Sequence, residues 1–581
     1  MFKQKNQTFF SSLPPFLNLS LNISSLSTNF KAIIRYFTSI YRLGIFMLDI
    51  LIIGSGGAGL SSALCASEQG SKVLVVGKSY PTASQTSMAQ GGMNASLGNV
   101  MPDSIEAHIE DTIKSAHSLC NAKMVKEVCE DAPKSIAWLE HLGVPFDRTP
   151  ESKVAQRQLG GASSKRACYA QDYTGLKILH TLYDTCLKEG IEMREEYFLL
   201  NLIVEDKTVL GATFLNVLTG EVEEILANST IIATGGYAGV YKNFTTNSEG
   251  ATGDGIASVL RAGGSVSDME FVQFHPTALK GSSTLISESA RGEGGYLVNT
   301  KEERFVDELL PRDVVARAIF EQISQGEEVF LDVRHLGEEK LLKLMPQEVH
   351  LCRLHENIDP VTQLIPIKPV AHYSMGGIDV NENLEVTGLK NCYAVGECSN
   401  AKIHGANRLG GNSLLEIVSL GRKAGNNAVG GDCHHTNNNT QRQKDQEYIE
   451  SLFEEYPYQQ NFYTLQDALG EKFYQNAGIV RDNTSLNNLL NEVRVLKADL
   501  DDMGIGDKNK EHNSNLVDFL QFQNLLEVGE VLLDASLVRD ESRGAHFKTA
   551  FPNKDDKLYK AHSLYWLEDG VLQNKLVKVD A

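Results

Sequence analysis

Ile50 to Ile53 is a short apolar run that opens into Gly54-Ser55-Gly56-Gly57-Ala58-Gly59, followed by a helical stretch from Leu60 to Gln69. The run fits a buried parallel strand. Gly54 permits the tight turn, Gly56 lets the backbone approach a pyrophosphate, and Gly59 lets the helix pack on the strand. The helix N-terminus then presents free N–H groups to phosphates. A second apolar run, Lys72 to Val76, completes a strand–helix–strand unit, so this part of the chain reads as a dinucleotide-binding domain. The second strand ends in Gly77-Lys78 rather than in an acid for the ribose. Lys78 therefore suggests phosphate contact or a different ribose partner.

Two distant segments read as further pieces of the same site. Thr230 to Gly236, T-I-I-A-T-G-G, is a buried strand running into a Gly turn. Asn391 to Glu397, N-C-Y-A-V-G-E, is another, ending in an acid able to hold a ribityl or ribose hydroxyl. Such a pair around a long insertion is typical of FAD enzymes, which makes FAD the expected cofactor. The expected fold is α/β: a discontinuous Rossmann-like FAD-binding domain (47–268 and 366–430) with an α+β capping domain (269–365) inserted into it. A polar linker (431–446), a helical bundle (447–550) and a tail with room for one hairpin (551–581) follow. Helical spacing in L-N-N-L-L-N-E-V-R-V-L supports the bundle. A length of 581 residues likewise demands more than one core.

The net charge of −20 argues against nucleic acid and against electrostatic docking on anionic lipid. An anionic substrate then needs a local basic focus, and Phe271 to Arg312 offers one. It carries His275, Ser287, Glu288, Arg291 and Arg312. Guanidinium forks grip carboxylates bidentately, and a carboxylate between two arginines can relay protons. A small dianion suits this set; a structural ion-pair network is the plainer alternative. The nine cysteines form no C-x-x-C pair, so reduced thiols and no iron–sulfur or zinc site of the chain's own are expected. Cys433, His434 and His435 read as surface residues of the linker.

Residues 1–46 are basic, acid-free and rich in Ser, Asn and Phe. A targeting segment is one reading. The other, preferred here, is that the working chain starts at Met47, because M-L-D-I-L-I-I-G is a common opening of a dinucleotide-binding domain.

Further motifs occur in one order: S-Q-T-S-M-A-Q-G-G-M-N-A (Ser84–Ala95), F-H-P-T, S-E-S-A-R-G-E-G-G, P-R-D, H-Y-S-M-G-G (His372–Gly377), H-G-A-N-R-L-G-G-N-S-L (His404–Leu414) and E-S-R-G-A-H (Glu541–His546). Together they resemble the flavoprotein subunits of succinate dehydrogenase and fumarate reductase, and most of all the bacterial methylmenaquinol:fumarate reductase type. The resemblance implies that Arg312 passes the proton to fumarate or takes it from succinate, with Glu288 and Arg291 extending the path to solvent. It implies that His275, Ser287, His372 and Arg408 clamp the two carboxylates. It implies a cofactor cradle of Gly54, Gly56, Gly57, Gly59, Lys78, Ser84, Thr86, Gly91, Gly92, Thr234, Gly235, Asp254, Glu397, Asn412, Ser413 and Leu414, with no metal ligands.

One departure stands out. Membrane-bound relatives place a flavinylated His where this chain has Gln85, so FAD is expected without a covalent link, which tilts the chain towards fumarate reduction. The resemblance also implies an iron–sulfur subunit and a quinone-reactive subunit as partners. It implies peripheral attachment to the cytoplasmic membrane, on the cytoplasmic face. L-aspartate oxidase is the competing function, since it shares the substrate Arg and His and the E-S-R-G-x-H segment. Against it, Gln156 to Thr174 is basic where an amino-acid substrate would want an added acid. A catalytically silent flavin sensor is a third reading, and the intact five-residue constellation argues against it.

Overall fold

The computed structural model of the chain describes residues 48–431, 440–454, 461–500 and 503–579. The extension before Met47 and the Cys433–His435 cluster lie outside them.

The first sheet is built on the strand Leu48–Ile53, four of whose residues, Ile50 to Ile53, are buried. It pairs in parallel with Val73–Val76 on one side and with the second half of Glu221–Ile232 on the other. Cys392–Ala394 joins in parallel beyond that, with Thr230 opposite Cys392. Apolar runs buried on both faces suit parallel strands. The first half of Glu221–Ile232 pairs instead with an antiparallel meander, Tyr197–Glu205 and Thr208–Asn216. One long strand thus belongs to both. The helix Gly57–Glu68 packs on this sheet. A Cβ on Gly59 would lie 1.9 Å from the carbonyl oxygen of Gly54, so only glycine admits this approach of helix to strand.

A four-stranded antiparallel sheet, in the order Val272–Leu279, Ile365–Ser374, Val329–Asp332, Tyr296–Asn299, carries the inserted segment. Residues such as Leu279, Ile286, Leu297, Val315, Leu331 and Ile367 form an apolar core of their own there. The segment therefore has its own packing as well as its own sheet. The chain enters the segment on Val272–Leu279 and leaves on its neighbour Ile365–Ser374, which returns it to the first sheet.

The C-terminal part contains the helices Thr440–Ser451, Phe462–Asn476, Asn483–Ala498 and Ser514–Val538. The last two pack on each other, and Ser514–Val538 also contacts the helix Asp254–Arg261. One sequence expectation changes here. Part of the 431–446 linker is helical: Asp445 is buried and accepts hydrogen bonds from Asn201 and Thr213 of the meander. Its mean polarity hid a helix that is anchored by side-chain hydrogen bonds rather than by an apolar stripe. The tail does form a hairpin, Ala561–Glu568 with Val571–Lys578. That hairpin is no appendage, since Ala561–Glu568 pairs with Val266–Ser267 to extend a five-stranded sheet.

Where this sheet meets the helices, charge is buried in quantity. Arg539, with no exposed side-chain surface, donates to Glu270 at 2.5 Å and to Glu541 at 3.0 Å. Arg543 pairs with Glu541, and His546 accepts from Arg481 at Nδ1 and donates from Nε2 to the Arg539 carbonyl. These contacts hold the E-S-R-G-A-H segment in a structural role. Arg539→Met should strand Glu270 without its cation and lower the unfolding free energy by about 3–5 kcal/mol, read from urea denaturation. A loss under about 1 kcal/mol would mean that the network relaxes around the gap.

Candidate active site

Three parallel strands end at one cleft. Leu48–Ile53 delivers Gly54, Glu221–Ile232 delivers Thr234 and Gly235, and Cys392–Ala394 delivers Glu397. Ligands in open α/β sheets bind beyond the carboxyl ends of the strands, and this cleft lies there. It continues from the glycine turn to His275, Ser287, Glu288, Arg312, His372 and Arg408. The two ends of a single cleft thus carry the residues expected for a dinucleotide and those expected for a small dianion.

At the first end the helix Gly57–Glu68 begins with no side-chain cap, so its leading N–H groups are available. One is met by Thr86, which accepts from the Gly57 N–H at 3.1 Å. A Cβ on Gly57 would lie 2.5 Å from Ile417 and 3.1 Å from Thr86, so the glycine keeps the mouth of the turn open. Ser84 Oγ, Thr234 Oγ1 and Gln90 Oε1 line the cleft, are buried, and find no partner within the protein. Buried polar atoms are rarely left so. Unpaired hydroxyls and amides around a helix N-terminus are what a flavin dinucleotide, with its phosphates and ring edges, would satisfy. The donor set therefore fits FAD. Ser84, Thr86, Gly91, Gly92, Ser413 and Leu414 all reach the cleft.

Some expected cradle residues serve otherwise. The Lys78 ammonium donates to Asp254 at 2.6 Å, to the Gly250 carbonyl at 2.6 Å and to Thr252 at 3.1 Å. Asp254 also accepts from Thr252 and Asn524, which ties this corner to the C-terminal helix. Both residues border the cleft, but as a closed ion pair. Gly59 and Asn412 do not line it. Asn412 instead accepts from Asn94, meets His108 and donates to Thr112 in a buried polar knot behind the wall. Glu397 accepts from the Ser374 N–H at 2.9 Å, and burial raises its carboxyl to about 7.

At the second end Glu288 is the pivot. Its Oε2 accepts from Arg312 Nη2 at 2.8 Å and from Nε at 3.2 Å, while Oε1 accepts from Arg291 Nη2 at 3.0 Å. Burial alone would raise its pKa; Arg312 and Arg291 overcome that and hold it at about 2. Arg291 lies behind the cleft wall and donates on to the Glu308 carbonyl at 2.6 Å. Its sequence neighbours explain the spacing: Glu288 and Arg291 stand three apart on the short helix Glu288–Gly292 and so share a face.

His275 and His372 lie with ring centroids 4.8 Å apart. Burial and the nearby Arg312 push His275 well below its ordinary value, and burial and His275 do the same to His372. Both imidazoles are therefore neutral at neutral pH. Thr246 holds His372 Nδ1 at 2.7 Å, and the Thr277 backbone holds His275 Nδ1. Arg408 lies 4.3 Å from the Tyr373 ring centroid, and burial with neighbouring Arg312 lowers its pKa to about 10.

Sequence reasoning missed Gln273. Its Oε1 accepts from Arg312 Nη1 at 2.9 Å and from Arg408 Nη2 at 3.2 Å, so one amide oxygen couples the two forks. Its Nε2 donates to Asn407 and to the Arg408 carbonyl, which fixes the amide's orientation. The signal was present, because Gln273 and His275 stand two apart in one strand and so face the same way. Among the described residues no group of three or more His, Cys, Asp or Glu is arranged to hold a metal ion. The described cysteines are free and buried.

Comparisons with known proteins fit this geometry. The family described as FAD binding domain matches residues 49–414, and the one described as Fumarate reductase flavoprotein C-term matches 466–580. The chain is 37% identical to a fumarate reductase flavoprotein subunit of Mycobacterium tuberculosis, over 90% of this chain and 96% of that one. It is 36% identical to the 8-methylmenaquinol:fumarate reductase flavoprotein subunit of Wolinella succinogenes, over 94% of each. Among solved structures it resembles an E. coli quinol fumarate reductase with a TM-score of 0.86 and 33% identity, covering 92% of this chain and 97% of that one.

Gln273→Leu should leave Asn407 Oδ1 and the Arg408 carbonyl without donors and both guanidiniums without their shared acceptor. Unsatisfied buried groups of this kind cost about 1–3 kcal/mol each, so the FAD-loaded protein should unfold at clearly lower denaturant. An unchanged midpoint would show that Gln273 is not what joins the two arginines.

Proposed function

Because the chain belongs to the flavoprotein family of fumarate reductase and succinate dehydrogenase, we propose that it is the catalytic subunit that interconverts fumarate and succinate. One observation carries the reading: the buried chain Arg312–Glu288–Arg291 ends on the same cleft as the glycine turn at Gly54. FAD, when bound, supplies or accepts the hydride. The residues of the chain bind and orient the dianion, exclude water and move one proton.

Arg408 and Arg312 meet the carboxylates with charge, and the neutral His275 and His372 add hydrogen-bond donors without further charge. Their neutrality also supports Arg312 as the acid. An imidazolium is scarcely populated in this pocket, so neither His holds a proton ready to give. Arg312 has five N–H groups, of which three are spent on Glu288 and Gln273. An N–H on its remaining edge goes to the substrate carbon in fumarate reduction. The ionised Glu288 then takes a proton from Arg291 at Oε1, and a turn of the carboxyl hands that same proton to the Arg312 nitrogen that lost one. A group held near pKa 2 carries that proton only briefly, which suits a relay rather than a store. Succinate oxidation runs the same steps in reverse.

The FAD is held without a covalent link. Gln85 has no nucleophilic side chain, and its Oε1 accepts from the Ser248 N–H at 3.0 Å. Electrons leave or arrive through an iron–sulfur subunit and a quinone-reactive membrane subunit in this reading; the quinol named for the E. coli relative and the 8-methylmenaquinol named for the Wolinella one support its quinone end. Among the described residues no helix is long and apolar enough to cross a membrane. In this reading attachment to the membrane is through those partners, with the chain on the cytoplasmic face.

Acid precipitation should release the yellow chromophore into the supernatant as intact FAD. A pellet still fluorescent after denaturing electrophoresis would place a covalent bond elsewhere.

Arg312→Gln should keep FAD and still bind fumarate, while turnover falls by more than the roughly 10²–10⁴-fold of ordinary general acid–base help. Arg408→Gln should raise KM as well. Were His275→Ala or His372→Ala to abolish turnover with Arg312→Gln within about tenfold of wild type, the imidazole would be the acid.

A further inference from the structure

Behind Ser287 lies a second buried carboxyl that the proton path does not use. Glu348, in the helix Pro346–Glu356, accepts from the Ser287 N–H at 3.1 Å and lies 3.2 Å from Ser289 Oγ, both through Oε1. Ser289 in turn meets Ser287 Oγ twice, with its N–H at 3.1 Å and its hydroxyl at 2.8 Å. All three side chains are buried. Ser287 alone borders the cleft, and its Oγ lies 3.8 Å from where a Cβ on Gly91 would stand, so that glycine keeps the space in front of it open.

Hydroxyl inventories make this arrangement directional. A Ser hydroxyl has one proton and accepts at two positions. With both acceptor positions of Ser287 Oγ taken by Ser289, its own proton has only the cleft to point into. That holds only while the Ser289 proton is on Ser287 and not on Glu348. A protonated Glu348 can itself donate to Ser289 Oγ, which sends the Ser289 proton to Ser287. An ionised Glu348 captures the Ser289 proton, and Ser287 can then turn its own back towards Ser289.

We propose that Glu348, acting through Ser289, is a positioning residue that makes the Ser287 hydroxyl an obligate donor to a substrate carboxylate. The inference rests on the dicarboxylate reading of the cleft. The groups facing Glu348 favour its donor form. Asp172, ahead of the helix Thr174–Lys188, accepts from the Glu348 N–H at 3.0 Å, and its other oxygen has no protein partner. Arg157 faces it from the strand Gln156–Arg157, and Cys352 and Glu356 share its helix. Burial and Asp172 raise Glu348 to about 8, against the weaker pull of Arg157. Asp172 is raised by burial to about 6, and Cys352 to about 12. Between roughly pH 6 and 8, then, Asp172 is ionised, Glu348 is protonated, and Ser287 donates. Above that window the proton leaves Glu348 and the relay reverses.

The test uses the FAD-loaded full chain and two readouts: KM for fumarate with a reduced viologen donor, and malonate binding followed by the flavin absorbance. In wild type, KM and the malonate Kd should both rise about tenfold from pH 7 to pH 9, as expected for losing one hydrogen bond to a charged group. Glu348→Gln carries a permanent donor and should hold both constants near their pH 7 values throughout. Ser289→Ala should raise both about tenfold already at pH 7, with Ser289→Thr restoring them. The changes should fall on KM more than on kcat. If Glu348→Gln follows the wild-type pH curve, or Ser289→Ala binds malonate as wild type does, the inference is overturned while the functional reading stands. If wild type itself gives no response to fumarate or malonate, both fall.

Discussion

A carboxylate taken out of water is tolerable only where cations meet it, and Glu288 is met by one on each oxygen. Breaking a buried pair of this kind costs about 3–5 kcal/mol, because the surviving charge has nowhere to go. The arrangement therefore dictates how the inserted segment is built. The short helix from Glu288 sets Arg291 beside it, while the helix Arg312–Ser324 must begin with its first side chain turned to the other oxygen. The strand Val272–Leu279 passes close enough for Gln273 to accept from Arg312. Stability and chemistry use one set of contacts here: the charges that make the buried carboxylate acceptable also give it two proton-exchange partners.

The cleft exists because two sheets of different kinds end at it. Parallel strands of the first sheet contribute backbone turns, Gly54 and Gly235 among them, where phosphate and flavin edges need close approach. The antiparallel sheet of the insertion contributes side chains, since His275 and His372 stand on neighbouring strands whose register holds their rings together. Backbone recognition suits a large cofactor common to many enzymes, whereas side-chain recognition suits a small substrate that must be told from its analogues. Ser287 and the carboxyl of Glu348 behind it belong to the second kind.

Much of this was legible in the residues, for definite reasons. Glycine patterns are readable because steric exclusion acts locally: Gly54, Gly57 and Gly59 occur where no Cβ fits. Part of the buried ion-pair cluster was readable because Glu288 and Arg291 lie within one short turn of sequence. Polar residues whose partners are distant in sequence were less so. That Lys78 meets Asp254, from another element, could not be read from the residues. The helix Thr440–Ser451 looked like linker because its anchor, Asp445, is satisfied by the meander rather than by an apolar face.

The sequence by itself determined the strand–helix–strand unit, the insertion and the family, because periodicity, glycine placement and motif order are local or one-dimensional properties. Only the tertiary structure decided which charges are paired, which histidines are neutral and which hydroxyl protons are free to point at a ligand. Those depend on distances of about 3 Å between residues far apart in the chain, and on how completely water is removed around them. Gln273 between two arginines, and Glu348 behind two serines, are ordinary polar residues in the sequence. Burial among particular neighbours gives each its role.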